Sequence, residues 1–213
     1  MFDLHVHSVF SDGELLPSEI LRRMQNKGIL GCAITDHADF TNISTLISQL
    51  SKLREHAEFY DIEFLIGVEL THIPPKLISK AVELSWREGA EIVIVHGETI
   101  VEPVAEGTNL AAIESETSVL AHPGLIKEKE VELAAENGVC LEISSRRGHC
   151  LTNGHVAKMA TELGADLVFG SDSHAPSDIL SPEEIRKVSF GCGAGEVVLK
   201  NTEKLFRKLR REI

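Results

Sequence analysis

Short apolar runs, most of them closed by a polar or charged residue, alternate with longer amphipathic segments along the chain. That alternation is the pattern of parallel α/β architecture. It predicts strands over residues 2–7, 29–35, 62–69, 91–96, 118–122, 139–144 and 167–172. Helices are predicted over 17–27, 43–58, 74–88, 127–137, 153–163 and 202–210, with a shorter helical piece over 109–113. Pro17 suits a first helical turn and Gly28 a helix end. The crossovers between the seven strands are long enough for helices, and no Gly/Ser/Pro-rich linker, repeat or low-complexity stretch divides them. Residues 1–213 therefore read as one domain, an α/β fold that is either an open doubly wound sheet or a barrel. Periodicity alone does not choose between the two.

The polar residues that end the strands favour closure. His5 and His7, His37, Glu69, His96, His122, and then Asp172 with His174 all fall at the carboxyl ends of successive strands. Residues two apart in a strand point the same way, so His5 and His7 can aim both rings at one place. Imidazole with carboxylate is a ligand set for Zn, Mn or Fe. In a closed barrel these strand ends surround one mouth. In an open sheet they spread along an edge, and only those near the switch point meet.

Composition narrows the function classes. The formal net charge of -12 argues against gripping long nucleic acid, which requires a basic face. A small phosphorylated substrate stays compatible, because bound divalent metals reverse the sign locally. The 4 cysteines are scattered, without a CxxC pair, and read as reduced thiols of a cytoplasmic protein. Met1 leads straight into the first strand, which leaves no room for a signal peptide, and no apolar stretch has membrane-spanning length. The basic cluster over 204–211, interleaved with Leu205, Phe206 and Leu209, reads as a terminal amphipathic helix with a solvated face.

Asp3-Leu4-His5-Val6-His7-Ser8, Ser11-Asp12-Gly13, Thr35-Asp36-His37, Gly67-Val68-Glu69, Val95-His96-Gly97, Ala121-His122-Pro123-Gly124 and Ser171-Asp172-Ser173-His174 occur in this order. Together they resemble the motifs of the PHP family, the polymerase and histidinol phosphatase superfamily of metal-dependent phosphoesterases. The resemblance implies a distorted (β/α)7 TIM-like barrel holding three divalent metals, Mn, Zn or Fe. By motif, His5, His7, Glu69 and Asp172 would hold the first metal, and Asp12, His37 and His174 the second. His96 and His122 would hold the third, with Glu69 bridging to it. Some family members have His where this chain has Asp12.

Hydrolysis of a phosphate ester has use for such a cluster. The ester is an anion that repels hydroxide, and metals cancel its charge and align a nucleophile. The expected mechanism is attack by a hydroxide bridging two metals, while a third metal holds a phosphate oxygen. Three acidic ligands cannot neutralise three dications, so a positive basin is expected inside an acidic protein. Asp172, His174 and Arg146 are the expected catalytic residues. The strand ending at Ser144 lacks an obvious ligand and leads into Ser145-Arg146-Arg147, so Ser144, Arg146 and Arg147 are expected at the substrate, with Arg146 preferred. Asp3 and Asp36 are candidates to fix ligand ring tautomers. His149 and His155 read as surface residues or as proton donors to the leaving oxygen. His72 is placed in a loop near the mouth, His56 on an exposed helix face, and Trp86 in core packing. The glycines over 191–195 form a turn, since no Lys-Ser or Lys-Thr follows them.

The leading expectation is thus a phosphatase of a small phosphorylated metabolite, histidinol-phosphate-like, nucleotide or sugar. A phosphodiesterase or short-oligonucleotide exonuclease is the alternative. Amidohydrolase chemistry also uses an HxH on the first strand, but Asp172-Ser173-His174 fits the phosphoesterase pattern better. A non-catalytic scaffold, like ribonuclease P subunits resembling this family, fits poorly with a full ligand set.

Overall fold

The structure, a computed structural model, describes residues 1–211. In chain order the elements are β1 (Phe2–Asp3), α1 (Pro17–Lys27), β2 (Gly31–Ile34), β3 (His37–Ala38), α2 (Ile43–Leu50), α3 (Arg54–Phe59) and β4 (Glu63–Leu70). There follow α4 (Pro75–Glu88), β5 (Ile92–His96), α5 (Thr108–Ile113), β6 (Val119–Ala121), α6 (Glu128–Asn137), β7 (Cys140–Ser144), α7 (Asn153–Leu163), β8 (Leu167–Gly170), α8 (Pro182–Gly191) and α9 (Gly195–Arg211).

All strand pairs are parallel, in the order β1-β2-β4-β5-β6-β7-β8, with short β3 pairing on β4. The first and last strands come back together. Leu4 N–H donates to Phe169 O at 3.4 Å, Asp172 N–H to His5 O at 2.8 Å and His7 N–H to Ser173 O at 2.9 Å. A parallel bridge between Val6 and Ser173 completes the seam. The sheet is therefore a nearly closed, distorted (β/α)7 TIM-like barrel, and its seam is tightest at the carboxyl ends.

Two apolar cores hold it. The outer one lies between sheet and helices, with Ile20, Met24, Leu50, Phe64, Val82, Val131, Val156 and Ile185 among its members. The inner one fills the amino-terminal part of the barrel with Phe2, Leu4, Ala33, Leu65, Ile92, Val119, Cys140 and Val168. Phe206 and Leu209 of α9 join this inner core from below. The Phe206 ring sits 4.6 Å from that of Phe2. It fits because residue 31 is glycine, where a Cβ would come 2.7 Å from Phe206 Cζ and 2.9 Å from Phe2. The basic residues of α9 face outward, so its apolar stripe is already occupied as the barrel plug.

Most predicted elements are present, with four differences. The first strand is short because the chain leaves regular pairing after Asp3 and rejoins it only at Val6. The predicted helix over 43–58 is interrupted by a 3-10 turn at Ser51–Leu53. Helix α8 was not expected. Its start is signalled by Ser181, whose Oγ accepts from Glu184 N–H while the Glu184 carboxylate takes Ser181 N–H, a reciprocal cap around Pro182. Only Ile185 and Ser189 of α8 are buried, too sparse an apolar pattern to reveal a helix by periodicity. Finally, α9 begins at Gly195 rather than at 202, because Val198 and Thr202 continue the buried stripe backwards. The 191–195 glycines form the turn between these two helices. All four cysteines, Cys32, Cys140, Cys150 and Cys192, are free thiols. Among the described residues no helix is long and apolar enough to cross a membrane.

The plug can be tested. Phe206→Ala should cost about 3–5 kcal/mol in urea unfolding, the range for deleting a buried aromatic ring. A loss under about 1 kcal/mol would mean α9 merely lies against the barrel.

Candidate metal centre

With the amino-terminal half of the barrel apolar, the carboxyl ends of the strands carry the polar groups, and these converge. Glu69, at the end of β4, is fully buried and lies at their centre. Its Oε1 is 3.1 Å from His96 Nδ1, 3.2 Å from His122 Nε2 and 3.5 Å from His5 Nε2. Its Oε2 is 2.7 Å from His37 Nδ1 and 3.5 Å from His7 Nε2. One carboxylate thus faces five imidazoles. His5 Nε2 and His7 Nε2 are 2.9 Å apart, and Asp172 Oδ1 is 3.3 Å from the latter. Asp12 Oδ1 lies 3.0 Å from His174 Nε2 and 3.6 Å from His37 Nε2. Every residue expected as a metal ligand is therefore brought to the same mouth.

Neighbouring groups set which nitrogen each ring offers. His174 Nδ1 donates to Asp172 O at 2.9 Å, which leaves Nε2 free toward Asp12. His37 Nδ1 is taken by Glu69 and by Thr71 Oγ1 at 2.7 Å, which frees its Nε2. His5 Nδ1 is 2.6 Å from Glu142 Oε2, a residue that the sequence reading passed over. Gly170 leaves room for that pair, since a Cβ there would collide with the Glu142 carboxylate and lie 2.7 Å from His5 Cβ. A lone Glu in the apolar strand Cys140–Ser144 was the available signal. Asp3 and Asp36 do not reach the rings as expected. Asp3 Oδ1 accepts from His5 N–H and Ser171 N–H, while Asp36 accepts from Ser8 N–H, Ser8 Oγ and Ser11 Oγ. Asp36 thereby anchors the loop that presents Asp12.

The electrostatics are those of a cation site. Burial pushes the Glu69 and Asp172 carboxyls up, but His5 and other surrounding imidazoles outweigh it and hold both well below the usual range. Burial likewise opposes charge on His96, yet Glu69 and Glu102 raise it to about 10. His7 moves the other way, lowered to about 3 mainly by burial, and stays a neutral ligand-type imidazole. His122 Nδ1 and Glu142 Oε1 are buried without a hydrogen-bond partner, and His96 Nε2 and His122 Nε2 face Glu102 and Glu69 at 3.0 and 3.2 Å without an aligned hydrogen bond. Buried polar atoms are normally paired, and an ion answers such a shortfall. A tetrahedral ion with ligands at about 2.1 Å sets its donor atoms about 3.4 Å apart. The 2.9–3.8 Å separations among His5, His7, Glu69 and Asp172 bracket that spacing. The donors therefore fit divalent metals.

Backbone strain accompanies this convergence. His122 and Asp172 adopt positive φ, 27° and 55°, where non-glycine residues are uncommon. Such conformations cost of order 1–3 kcal/mol each and persist only when neighbours over-determine them. Asp172 is so held, its N–H by His5 O and its carbonyl by His174 Nδ1 and Arg146 Nη1.

The residues expected at the substrate separate. Arg146, about one-third exposed, has Nη1 3.3 Å from Asp172 O and Nε 3.7 Å from Asp172 Oδ2. Arg147 is exposed, and both arginines line a cleft of about 480 Å³ with Ser145, Ser177 and Asp178. Ser144 is buried and its Oγ accepts from Arg146 N–H, so it shapes the arginine loop and does not face the cleft. A second cleft, of about 530 Å³, is lined by Asp12, His37, Thr71, His72 and Glu102. His149 is buried within the cluster and not at the surface; burial and then His122 lower it to about 4. His155 turns away, 2.8 Å from Ile126 O. His56 is exposed, and Trp86 lies partly buried against the outer core. Glu102 and Glu142 add two carboxylates to the expected three, so the positive excess of a metal-filled mouth is smaller than the motifs implied.

Glu142→Gln should weaken divalent-cation binding about 10- to 100-fold in calorimetric titration, as outer-shell substitutions do. Unchanged affinity would show that His5 needs no such anchor.

Comparison with known proteins gives a consistent picture. The PHP domain family matches residues 3–160. An uncharacterized protein of Methanocaldococcus jannaschii is 48% identical over 204 residues, 94% of each chain. A probable phosphatase of a Thermoanaerobacter species is 27% identical over 228 residues, covering 95% of this chain and 91% of that one. Among solved structures, a chain of archaeal ribonuclease P with mature tRNA superposes with a TM-score of 0.76 at 15% identity. That superposition covers 99% of this chain and 92% of the other, and at such identity it speaks to the fold alone.

Proposed function

Because the chain belongs to the PHP domain family, we propose that it hydrolyses phosphate esters and that its substrate is a small phosphomonoester. The observation that carries this reading is the convergence of His5, His7, Asp12, His37, Glu69, His96, His122, Asp172 and His174 on one mouth, with the Arg146 guanidinium at its rim. Divalent metals, three by the family pattern and Mn, Zn or Fe by the donor set, would neutralise phosphoryl charge there and activate water near neutral pH.

The chain's own groups supply the rest. Arg146 presents a planar fork suited to two phosphate oxygens, and its contacts to Asp172 pre-aim it across the mouth. Asp172 ties the arginine to His5 and His7, so the substrate anchor and the ligand cluster move as one unit. His174 couples Asp172 to Asp12 through its two ring nitrogens. The buried walls keep water out of the inner side of the mouth, where fixed dipoles act more strongly.

Clefts of about 480 Å³ beside Arg146 and about 530 Å³ beside Asp12 and His37 match a metabolite-sized alcohol. The net charge of -12 disfavours a long duplex. The probable phosphatase matched over nearly its whole length supports the monoester. The likeness to a ribonuclease P chain does not favour a scaffold role, since it is a likeness of fold and this chain keeps a full donor set. We place the protein in the cytoplasm on its free thiols and expect no membrane partner.

The test is a manganese-supplemented screen against metabolite phosphates and one dinucleotide. Monoester turnover is expected, and it should fall to background in His7→Ala and Asp172→Ala together with metal content. Full activity in metal-depleted Asp172→Ala would overturn the reading. Cleavage of the dinucleotide alone would replace phosphatase by phosphodiesterase. Arg146→Ala should raise KM about 10- to 100-fold with metals retained, matching a charged hydrogen bond of roughly 1.5–3 kcal/mol.

A further inference from the structure

His149 belongs to none of the motifs that mark the cluster, yet its ring lies inside it. It comes from the 3-10 turn His149–Thr152 that follows β7, and it is 3% exposed. Its Nδ1 is 2.7 Å from Thr99 Oγ1. Its Nε2 faces Glu102 Oε1 at 3.4 Å and Asp172 Oδ2 at 3.8 Å. The ring stacks on His122 with centroids 4.1 Å apart and planes 20° apart.

One donor atom from each of His122, His149 and Asp172 lies within 4.8 Å of the other two. His122 is nine-tenths buried or more; its Nδ1 has no partner, and its Nε2 faces Glu69 Oε1 at 3.2 Å and Asp172 Oδ2 at 3.8 Å without an aligned hydrogen bond. Glu102, on the loop between β5 and α5, reaches over both rings. Its Oε2 is 3.0 Å from His96 Nε2 while its Oε1 faces His149. In the tautomer where Thr99 accepts from Nδ1–H, the Nε2 lone pair of His149 points at two carboxylates. Such an arrangement is repulsive as it stands and becomes attractive around a cation. It is also the arrangement of a metal-bound imidazole, whose second nitrogen is fixed by an outer partner.

We propose that His149 is a metal ligand, forming with His122 and Asp172 a divalent-cation subsite that the Glu102 carboxylate closes from the β5–α5 loop. Two imidazoles and two carboxylates select Zn, Mn or Fe over Mg, which prefers all-oxygen surroundings. The subsite adds His149 and Glu102 to the ligands named by the motifs and rests on the reading of the mouth as a metal centre. It makes Asp172 a bridge, with Oδ1 toward His7 and Oδ2 toward His149.

The experiment strips the purified protein with chelator, reloads it with Mn or Zn, and counts ions per chain by elemental analysis alongside calorimetric titration. His149→Asn should lose one ion per chain and leave the others bound with unchanged affinity. Glu102→Gln and Thr99→Val should weaken one ion about 10- to 100-fold. Glu102 is partly exposed on a loop, so Glu102→Gln keeps the test open even if His149→Asn fails to fold. Wild-type ion counts and affinities in both His149→Asn and Glu102→Gln would overturn the proposal. So would loss of turnover in His149→Asn with every ion retained, which would make His149 a donor to the leaving group. A wild-type chain that binds no ion would overturn this subsite together with the metal centre itself.

Discussion

Five imidazoles around the single carboxylate of Glu69 impose the constraint on which this structure turns. Buried carboxylates must be matched by positive charge, and buried ring nitrogens must be paired. Glu69, Asp172, Glu142 and the more exposed Asp12 and Glu102 stand against histidines that protons alone satisfy incompletely, as the unpartnered Nδ1 of His122 shows. Divalent ions meet both demands at once. The mouth is thus best understood as a set of lone pairs held face to face by the barrel around it.

The barrel holds them at a cost distributed through the fold. The strand seam that brings Asp172 beside His5 is made of backbone hydrogen bonds at the carboxyl ends, just where the donor side chains lie. His122 and Asp172 sit in left-handed conformations, and Gly170 gives up a side chain so that Glu142 can brace His5. At the opposite end, Phe206 closes the apolar interior from below. The base is packed with apolar side chains while two strained residues sit among the donors at the mouth.

Much of this was readable in the chain. His5 and His7 advertised a shared direction through their spacing, and the ordered blocks from Asp3 to His174 carried both the converging donor set and the closed barrel. What stayed hidden depended on contacts distant in sequence. Glu142 meets His5 across 137 positions, and nothing local marks it except polarity within an apolar strand. His149 lacked a motif, so its burial against His122 could be seen only once the loops after β6 and β7 were folded together. Asp3 and Asp36 illustrate the converse error. They adjoin ligand histidines in sequence, but their carboxylates bind backbone and hydroxyl donors because those lie closer than the rings. Ser144 is buried, and its hydroxyl accepts from Arg146 N–H, a contact that only the folded loop reveals. Helix α8 escaped despite its strong cap because its buried face is thin.

The most direct test of the metal centre is an anomalous difference map at the manganese edge from crystals grown with Mn. The account requires peaks enclosed by His5, His7, Glu69 and Asp172, by Asp12, His37 and His174, and around His96 and His122. A map without density at this mouth, the same side chains remaining paired to one another, would contradict it.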